Sequence, residues 1–552
     1  AFVVQISFAQ NKTVTGTVVD GDGLPIPGVN VIIKNTTTGT QTDFDGKFSI
    51  SASNTDVLVF DYVGMKTKEK KVGSRTTINV TLLADVEALE EVVVTGFGDR
   101  GRKSLTTSIA TIEVDEVKSF STATVTGALQ GSATGLQVNQ NSGAPGTAFS
   151  VRVRGASSIN GSNEPLYVID GVPLITGGLG GGGFGGQDND ALASLNFQDV
   201  ESIQLLKDAA ATAIYGSRAA NGVVLITTKR GKEGVVKIEF NNYVGFQNAI
   251  ETYDVAPTGE VLRYNDLAWD EAIGVPEGFG ALSQGFILGF NWLDEYGLTL
   301  EEFYNSNVGT NYIDAINKDN ALTTSTDLSI SGGTEKANYY LQLADFQQEG
   351  VIRGQDFDRQ SFRMNADFKA SKKLNVDTGL NITQSETSRV NTDNNIFSGI
   401  STALLELPGI PLRDENGILT RDNFLFSNPL QNVLQENSKE NVFRLLANVG
   451  VRYAISDNLS IYSKTSLENL SFRQDRFFPA STAQGAASNG DAFAFINTFR
   501  QFVNNTTINY NNDFGSENFD FTFLGGFSSE YRYNNFTTVN SQNFPVGFTA
   551  VS

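Results

Sequence analysis

Hydrophobic and polar residues alternate one by one along much of the chain after Gly231. The pattern is clearest in residues 362–369, 443–453 and 519–527. A period of two residues predicts β-strands with one apolar face and one polar face. Nine such strands are predicted, over residues 234–248, 323–332, 336–347, 360–370, 373–386, 441–455, 459–473, 495–512 and 517–533.

The connections between these strands alternate in length. Short turns such as 370–373 alternate with long loops at about 251–322, 384–440 and 469–494. A soluble β-sandwich has shorter strands and compact loops at both ends. Long strands with long loops at one end only are typical of a transmembrane β-barrel with a polar lumen. The chain is therefore predicted to be mainly β and to include part of a large antiparallel transmembrane barrel.

Aromatic residues lie near several of the predicted strand ends. In a barrel they would form girdles at the two membrane interfaces, whereas in a soluble protein they would belong to an aromatic core, and the sequence leaves both interpretations open. The residues concerned are Tyr339, Tyr340, Tyr453, Phe477, Phe478, Tyr531 and Tyr533.

Residues 11–83 contain short β-rich runs separated by clusters of turn-forming residues, which predicts a small β-sandwich. Within it, Asp43, Asp45 and Gly46 match the start of a calcium-binding loop. The third Asx residue and the distal glutamate of such a loop are missing, so a tight hairpin turn is the favoured interpretation.

Residues 101–230 follow a different pattern. Val151 and Val153 alternate with Arg152 and Arg154, which predicts a half-buried strand. The two arginines would contact carboxylates of a surrounding barrel or face water. The Gly-rich run at 177–186 contains G-x-G-x-x-G, but no strand–loop–helix context or Lys-Ser/Thr pair accompanies it, so a mobile loop is predicted instead of a nucleotide site.

The end of this segment predicts a compact α/β element. An acidic residue, Glu201, begins an amphipathic helix, and an Ala-rich stretch with a turn at Gly216 ends it. A β-branched strand over Val223–Thr228 follows. The apolar positions of the predicted helix are Val200, Ile203, Leu205 and Leu206.

The composition removes several classes of function. The net charge of −21, from 40 basic and 61 acidic residues, would repel nucleic acid, so no nucleic-acid partner is expected. The chain lacks Cys and His, which excludes thiol nucleophiles, zinc sites built on these residues and His-dependent triads. No metal or cofactor is predicted. The acidic pairs at 301–302 and 356–358 are interpreted as solvated loop residues, not as glycosidase carboxylates.

Two short segments bear on location and partners. Residues 1–10 are apolar with small residues near their end, and they read as the remnant of a secretory signal peptide or, alternatively, as a first strand. No run of 18 apolar residues indicates a transmembrane helix. Residues 84–100 begin with acidic residues and contain EVVVTG, whose successive valines suit the addition of a strand from a partner.

Several motifs together resemble a known family. VRVRG at 151–155, LYVIDGVP at 166–173 and the run at 201–230 are similar to the plug domain of TonB-dependent outer-membrane transporters of the SusC/RagA type. Residues 14–50 resemble the carboxypeptidase-regulatory-like domain that often precedes such plugs, and EVVVTG matches the usual form of the TonB box. The implied order is signal-peptide remnant (1–10), carboxypeptidase-regulatory-like β-sandwich (11–83), TonB-box linker (84–100), α/β plug (101–230) and incomplete barrel (231–552).

The resemblance also implies a function. It implies active import of oligosaccharides or peptides across the bacterial outer membrane, with TonB and a SusD-like surface lipoprotein as partners and outer-membrane lipid around the barrel. Such a protein is a transporter and not an enzyme. Barrels that hold a plug have about 22 strands, so the chain is expected to be the N-terminal part of a longer protein. The alternative is a secreted or cell-surface adhesin made of soluble β domains.

The resemblance further assigns roles to individual residues. The residues assigned to TonB binding are Glu91, Val92, Val93, Val94, Thr95 and Gly96. Those assigned to holding or shaping the plug are Arg152, Arg154, Gly155, Asp170, Gly171, Gly216, Arg218 and Gly222.

Overall fold

The structure, a computed structural model, divides the chain into two compact units, residues 1–106 and 107–552, which are described separately. The predicted signal-peptide remnant and the Gly-rich run at 177–186 lie outside the described residues. The described residues are 12–21, 23–34, 36, 38–62, 65–83, 92–95, 98–101, 109–112, 114, 124–176, 190–250, 256–273, 294, 297–306, 311–391, 398–406, 410–420, 427–512, 521–545 and 548.

The first unit contains a β domain built from two sheets, which confirms the predicted N-terminal β domain. Alternate residues of its strands are buried, and Phe48 meets Phe60 edge to face at 5.3 Å in the core. The sheets have the strand orders β4-β1-β7 and β3-β2-β5-β6. The strands are β1 (Lys12–Val19), β2 (Asn30–Ile33), β3 (Gly39–Gln41), β4 (Lys47–Ala52), β5 (Val57–Asp61), β6 (Lys68–Lys71) and β7 (Val80–Thr81).

A tight turn joins β3 to β4, and the carboxylate of Asp43 in this turn accepts hydrogen bonds from backbone N–H groups. Asp43 accepts hydrogen bonds from the backbone N–H groups of Asp45, at 3.0 Å, and Lys47, at 2.8 Å. Gly46 has a φ of 70°, and a Cβ there would lie 2.5 Å from the carbonyl oxygen of Val18. The turn is tight as predicted, but it connects two different sheets, so the prediction of a hairpin was wrong.

Two short strands follow in the linker. They are β8 (Val92–Thr95) and β9 (Gly98–Gly101), which pair antiparallel as a two-stranded sheet. The three valines of the predicted TonB box thus lie on a strand, because β8 begins at Val92 and includes Val93 and Val94. The remaining box residues Glu91 and Gly96 lie outside the described part of the chain.

The second unit begins with an α/β segment, residues 109–230, which is called the plug below. A five-stranded sheet of order β10-β15-β16-β13-β14 forms its centre, and β11 and β12 form a separate hairpin. Two apolar clusters pack on this sheet, one containing Leu129 and Ile203 and the other containing Tyr215 and Val223. Its elements are β10 (Ile109–Ile112), α1 (Val125–Ala128), β11 (Leu136–Gln140), β12 (Phe149–Val153), β13 (Leu166–Ile169), β14 (Val172–Pro173), β15 (Val200–Leu206), α2 (Ala209–Thr212) and β16 (Val223–Thr228).

The predicted helix from residue 201 is wrong, because Val200–Leu206 is the strand β15. This strand pairs along its two edges with β10 and β16, and buried apolar clusters cover both of its faces, with Ile203 in one cluster and Leu206 in the other. A strand buried on both faces has a nearly continuous apolar run, which resembles the apolar face of a helix. Within residues 201–230, helical structure is confined to α2 and to the 3₁₀ segment Ala213–Ala219, and the predicted strand Val223–Thr228 is confirmed.

The rest of the second unit is one antiparallel sheet, called the wall below. Nine strands of the described chain form it, each beside its neighbour in sequence, and they correspond in order to the nine predicted strands. They are β17 (Gly234–Gln247), β18 (Ala321–Gly333), β19 (Ala337–Glu349), β20 (Asp356–Lys369), β21 (Leu374–Arg389), β22 (Asn437–Ala454), β23 (Leu459–Phe478), β24 (Asp491–Asn512) and β25 (Phe521–Gln542). The sheet confirms the predicted fold class.

The strands extend further than predicted toward one end of the wall. β21 continues to Arg389 and β22 begins at Asn437, so the loop between them is shorter than the predicted 384–440. Similarly, β23 continues to Phe478. The long connections still lie at a single end, called the long-loop end below, and they contain the helices α3 (Thr258–Ile273), α4 (Leu300–Tyr304), α5 (Tyr312–Ile316), α6 (Gly399–Leu405), α7 (Pro429–Gln435) and α8 (Ala483–Ala486).

The two faces of the wall differ as the alternation predicts. On β22, the apolar side chains of Val449 and Val451 are exposed, whereas Arg444 and Asn448 are buried. The aromatic residues near strand ends do not form one class. Tyr453, Tyr531 and Tyr533 are exposed, but Tyr340, Phe477 and Phe478 are buried, so a girdle role for these three is wrong.

The helices of the described residues include none that is long and apolar enough to cross a membrane. The acidic pair at 301–302 contains a helix-capping residue. Glu302 accepts a hydrogen bond from the backbone N–H of Thr299, at 2.9 Å, and Thr299 caps the N-terminus of α4 in return. This capping box accounts for Glu302 without any catalytic role.

Candidate functional site: the plug–wall interface

The centre of the plug–wall interface is a buried group of two carboxylates and one guanidinium. Asp170 and Asp199 belong to the plug, and Arg363 belongs to β20 of the wall. Arg363 donates through Nε to Asp199 at 3.0 Å, and its Nη1 lies 3.7 Å from Asp170. All three side chains are at most 5 % exposed, so one cation from the wall is shared between two anions of the plug.

The backbone turn after β13 positions Asp170. Asp170 has a φ of 49° and Gly171 a φ of 80°, so both lie in the left-handed region. In this conformation the Asp170 carboxylate accepts hydrogen bonds from the backbone N–H of Thr228, at 2.9 Å, and from its hydroxyl, at 2.7 Å. Lys464 of β23 donates to the backbone carbonyl of Asp170 at 2.7 Å. The turn is therefore tied to the plug sheet and to the wall together.

The two plug carboxylates differ in how firmly they hold their charge. Burial disfavours the charge of Asp170, but Arg363, Lys464 and Arg230 outweigh burial and hold the pKa of Asp170 below its ordinary value. For Asp199, burial has the larger effect and raises the pKa, although Arg363 opposes it. Asp170 is thus the stable anion of the group, and Asp199 is the carboxylate that accepts a proton more readily.

A second polar contact lies between β22, β23 and the plug. Arg444 donates to the carbonyl oxygen of Ile175 at 3.0 Å and to the hydroxyl of Ser194 at 2.8 Å. Glu468 lies 3.4 Å from Arg444 and accepts a hydrogen bond from the N–H of Ile175 at 3.1 Å. This ion pair of the wall therefore binds both backbone polar groups of one plug residue.

A third contact satisfies carbonyl groups of a short 3₁₀ helix, Ala191–Ser194. The carbonyls at the end of a helical turn have no partner within the helix. Arg359 of β20 donates to the carbonyls of Ala193, at 3.0 Å, and Leu195, at 3.1 Å. Thr383 of β21 donates to the carbonyl of Ser194 at 2.9 Å. The wall thus supplies the hydrogen bonds that this turn cannot make itself.

Further contacts lie around these three. Arg218 of the plug pairs with Glu530 of β25 at 2.8 Å, and Arg230 pairs with Asp367 of β20 at 2.6 Å. Gln501 of β24 donates to the carbonyl of Pro173 at 3.1 Å. The interface is consequently rich in charged and polar groups and spread over at least five wall strands, with apolar contacts such as that of Leu446 among them.

The comparisons with known proteins agree with this architecture. The family described as CarboxypepD_reg-like domain matches residues 14–94, and the family described as TonB-dependent Receptor Plug Domain matches residues 102–223. TonB-dependent receptor P26 of Formosa agariphila is 34% identical over 94% of this chain and 49% of its own length. TonB-dependent receptor SusC of Bacteroides thetaiotaomicron is 35% identical over 68% of this chain and 35% of its own length.

The chain belongs to the SusC-like TonB-dependent receptors. Its fold agrees with a solved structure described as the RagAB peptide importer in the 'open-open' state, with a TM-score of 0.67 and 24% identity over 82% of this chain and 50% of that one. The receptor chain spans about half the length of the curated relatives it matches. It is an outer-membrane β-barrel protein, which sets aside the alternative of a soluble adhesin.

The residues to which the family resemblance assigned a role in the plug lie in different surroundings. Asp170 and Arg218 lie at the plug–wall interface. Arg154 is exposed and pairs with Asp208 of the plug itself, at 2.6 Å, which agrees with the prediction that it faces water and not with a contact to a barrel carboxylate. Arg152 lies on β12 opposite Gln137. The plug glycines have positive φ angles: 93° at Gly155, 80° at Gly171, 66° at Gly216 and 89° at Gly222.

Sequence reasoning missed most of the receptor's interface residues. Asp199, Arg359 and Arg363 were not singled out, and neither were Arg444 and Glu468. A signal for the wall residues was present, because all of them occupy polar positions of the alternating strands. Burial of charged side chains on a strand face requires partners on the other side, and the plug provides them.

Proposed function

We propose that this receptor takes part in the TonB-dependent import of oligosaccharides or peptides across the bacterial outer membrane. In this proposal the plug closes the lumen, residues 91–96 bind TonB, and a SusD-like lipoprotein covers the long-loop end. The observation that carries the proposal is the polar plug–wall interface. Family membership supports it.

A polar interface suits a plug that must move. Groups such as Arg363, Asp170 and Arg444 are satisfied by the plug–wall contacts while the plug is seated. When the plug moves, water can hydrate the same groups, whereas an apolar interface would expose hydrocarbon to water. Removing only one member of a buried ion pair costs about 3–5 kcal/mol, so the seated state is well defined.

Transport also requires that ligand binding be communicated to the periplasmic side. A ligand shifts an equilibrium only by the difference between its affinities for the two states. Cargo bound at the long-loop end must therefore favour the state in which residues 91–96 are accessible to TonB. The strand β8 suits this role, because an added strand can bind through backbone hydrogen bonds.

The TonB box can be tested by one substitution with a matched control. Val93→Pro removes a backbone N–H and restricts φ, so it should abolish uptake while ligand binding at the cell surface is unchanged. Val93→Ile keeps the N–H and the β-branched shape and should transport normally. Uptake is measured with a labelled oligosaccharide or peptide pool, and the lipoprotein is sought by copurification. Normal uptake by Val93→Pro or by a deletion of residues 91–96 would exclude this segment as the TonB box.

A further inference from the structure

A separate cavity lies at the long-loop end of the wall. Its volume is about 670 Å³, which is within the range of small-ligand sites. The ends of β20, β21 and β23 line it, together with α7 and the segment that follows β25. None of the plug–wall contacts described above lines this cavity, so its residues need another explanation.

One side of the cavity is aromatic. Phe477 meets Phe544 and Phe548 edge to face, with ring centres 5.2 Å and 5.4 Å apart. Phe544 and Phe548 stack on each other at 4.8 Å. This aromatic cluster, Phe477, Phe544 and Phe548, offers an apolar surface beside the polar lining, and its ring faces would attract a cation.

A buried carboxylate lies in the same lining. Glu436 is about 5 % exposed, and within the described part of the chain neither of its carboxylate oxygens accepts a hydrogen bond. Burial raises the pKa of Glu436 to about 8, which Arg476 partly opposes. Glu436 also caps the C-terminus of α7, where the helix dipole disfavours a negative charge. Arg476 therefore compensates this carboxylate only in part.

Both cationic side chains of the cavity lining are already paired with carboxylates. Arg389 is paired with Glu440 at 2.7 Å, and Lys439 is paired with Glu386 at 3.0 Å. Among the described residues, no ion pair is formed by the other two charged residues of the lining, Asp356 and Glu436. An uncompensated buried carboxylate is costly unless a cation joins it.

We propose that this cavity binds a primary ammonium group that is attached to an apolar group, with Glu436 as the anionic partner and the aromatic cluster as the apolar wall. The ammonium group would donate charge-assisted hydrogen bonds to the free carboxylate oxygens. This inference rests on the proposed function, because the ammonium group would belong to the cargo. It would be the free N-terminus of a peptide or the amino group of an amino sugar.

The first test compares two probes of similar shape. Purified receptor in detergent is titrated with phenethylammonium and with 2-phenylethanol, which carries a hydroxyl in place of the ammonium group. At about pH 9, where Glu436 is ionised, the ammonium probe should bind at least about tenfold more tightly. Glu436→Gln should bring the two affinities to within about twofold. Glu415→Gln, which changes an exposed acid of the same loop region, should keep the tenfold preference.

Protonation provides a second measurement on the unmodified receptor. The charged groups around Glu436 are Arg476 and Asp491 on β23 and β24, Arg389 and Asp356 on β21 and β20, and Lys439 and Glu440 on β22. Binding of the ammonium probe near pH 7 should release protons, because the neutral carboxyl must ionise. Equal affinities for the probes at about pH 9, no proton release, or an unchanged preference in Glu436→Gln would overturn the proposal.

The source of the ammonium group is distinguished by two further pairs of probes. Tetraalanine is compared with its N-acetylated form, and a glucosamine tetramer is compared with its N-acetylated form. A preference for the free amine in either pair supports the proposal and identifies the cargo class, whereas no preference in both contradicts a role in cargo recognition. Binding is measured without TonB, so these outcomes are independent of the Val93 uptake test.

Discussion

The ion pair of Arg444 and Glu468 allows the plug–wall interface to be tested quantitatively. Arg444→Met would leave Glu468, which is about 1 % exposed, without its cation. It would also remove the hydrogen bonds to Ile175 and Ser194. Removing one member of a buried pair costs about 3–5 kcal/mol, and the hydrogen bonds are lost in the same event, so we expect the seated plug to be destabilised by about 4 kcal/mol.

The second substitution separates the lost charge from the lost contacts. Glu468→Gln in the Arg444→Met background removes the unpaired charge but keeps an oxygen that accepts from the N–H of Ile175. We expect it to restore about 2 kcal/mol, because the remaining loss is that of the hydrogen bonds from Arg444 to Ile175 and Ser194. The control is Arg452→Met, on the same strand, whose exposed guanidinium stacks on Tyr462 at 4.8 Å and should cost about 1 kcal/mol or less.

Native-state hydrogen exchange measures these effects directly. The amides of Ile175 and Leu195 lie in the segments that Arg444 and Arg359 hold. A loss of about 4 kcal/mol corresponds to amide hydrogen exchange that is about 1000-fold faster. Ion conductance through the receptor in planar bilayers provides an independent measurement of plug seating. If Arg444→Met behaves like Arg452→Met, or if Glu468→Gln makes the Arg444→Met variant less stable, then the Arg444–Glu468 pair does not stabilise the seated plug.

Two further predictions concern the interior of the plug. Glu164 accepts a hydrogen bond from the N–H of Val151, and burial raises the pKa of Glu164 to about 7. The stability of the plug should therefore fall as the pH rises from about 4.5 to 7. Glu164→Gln should remove this pH dependence, as measured by thermal unfolding. At Gly222, φ is 89° and a Cβ would lie 3.0 Å from Val153, whereas nothing lies within 4 Å at Gly171. Gly222→Ala should therefore lower the free energy of unfolding of the plug by about 2 kcal/mol, and Gly171→Ala should lower it by about 1 kcal/mol. Equal unfolding midpoints for the two variants would contradict this ranking.

The wall strands could be predicted because their signal is local. Alternation with a period of two residues follows from the geometry of a strand with different environments on its two faces. The strand ends were less predictable, as the continuation of β23 to Phe478 shows. There the chain leaves the two-sided environment, so the alternation fades before the strand pairing ends.

The strand β15 shows where local reasoning failed. Its sequence from Val200 to Leu206 has apolar residues on both faces, because it is a central strand between β10 and β16 and an apolar cluster covers each face. The same spacing fits one face of a helix. The choice between helix and strand was made by the neighbouring strands, which no single segment of the sequence identifies.

The sequence by itself determined the class of the protein: a β domain, a strand-forming linker, an α/β plug and long alternating strands with one polar face. Only the tertiary structure decided which charges meet. Arg363 and Asp199 are separated by 164 residues, and Arg444 and Ser194 by 250 residues. Alternation requires a polar face but contains no information about the partner across the lumen. That partner depends on strand register and on where the plug sits inside the wall, and both result from packing over the whole unit.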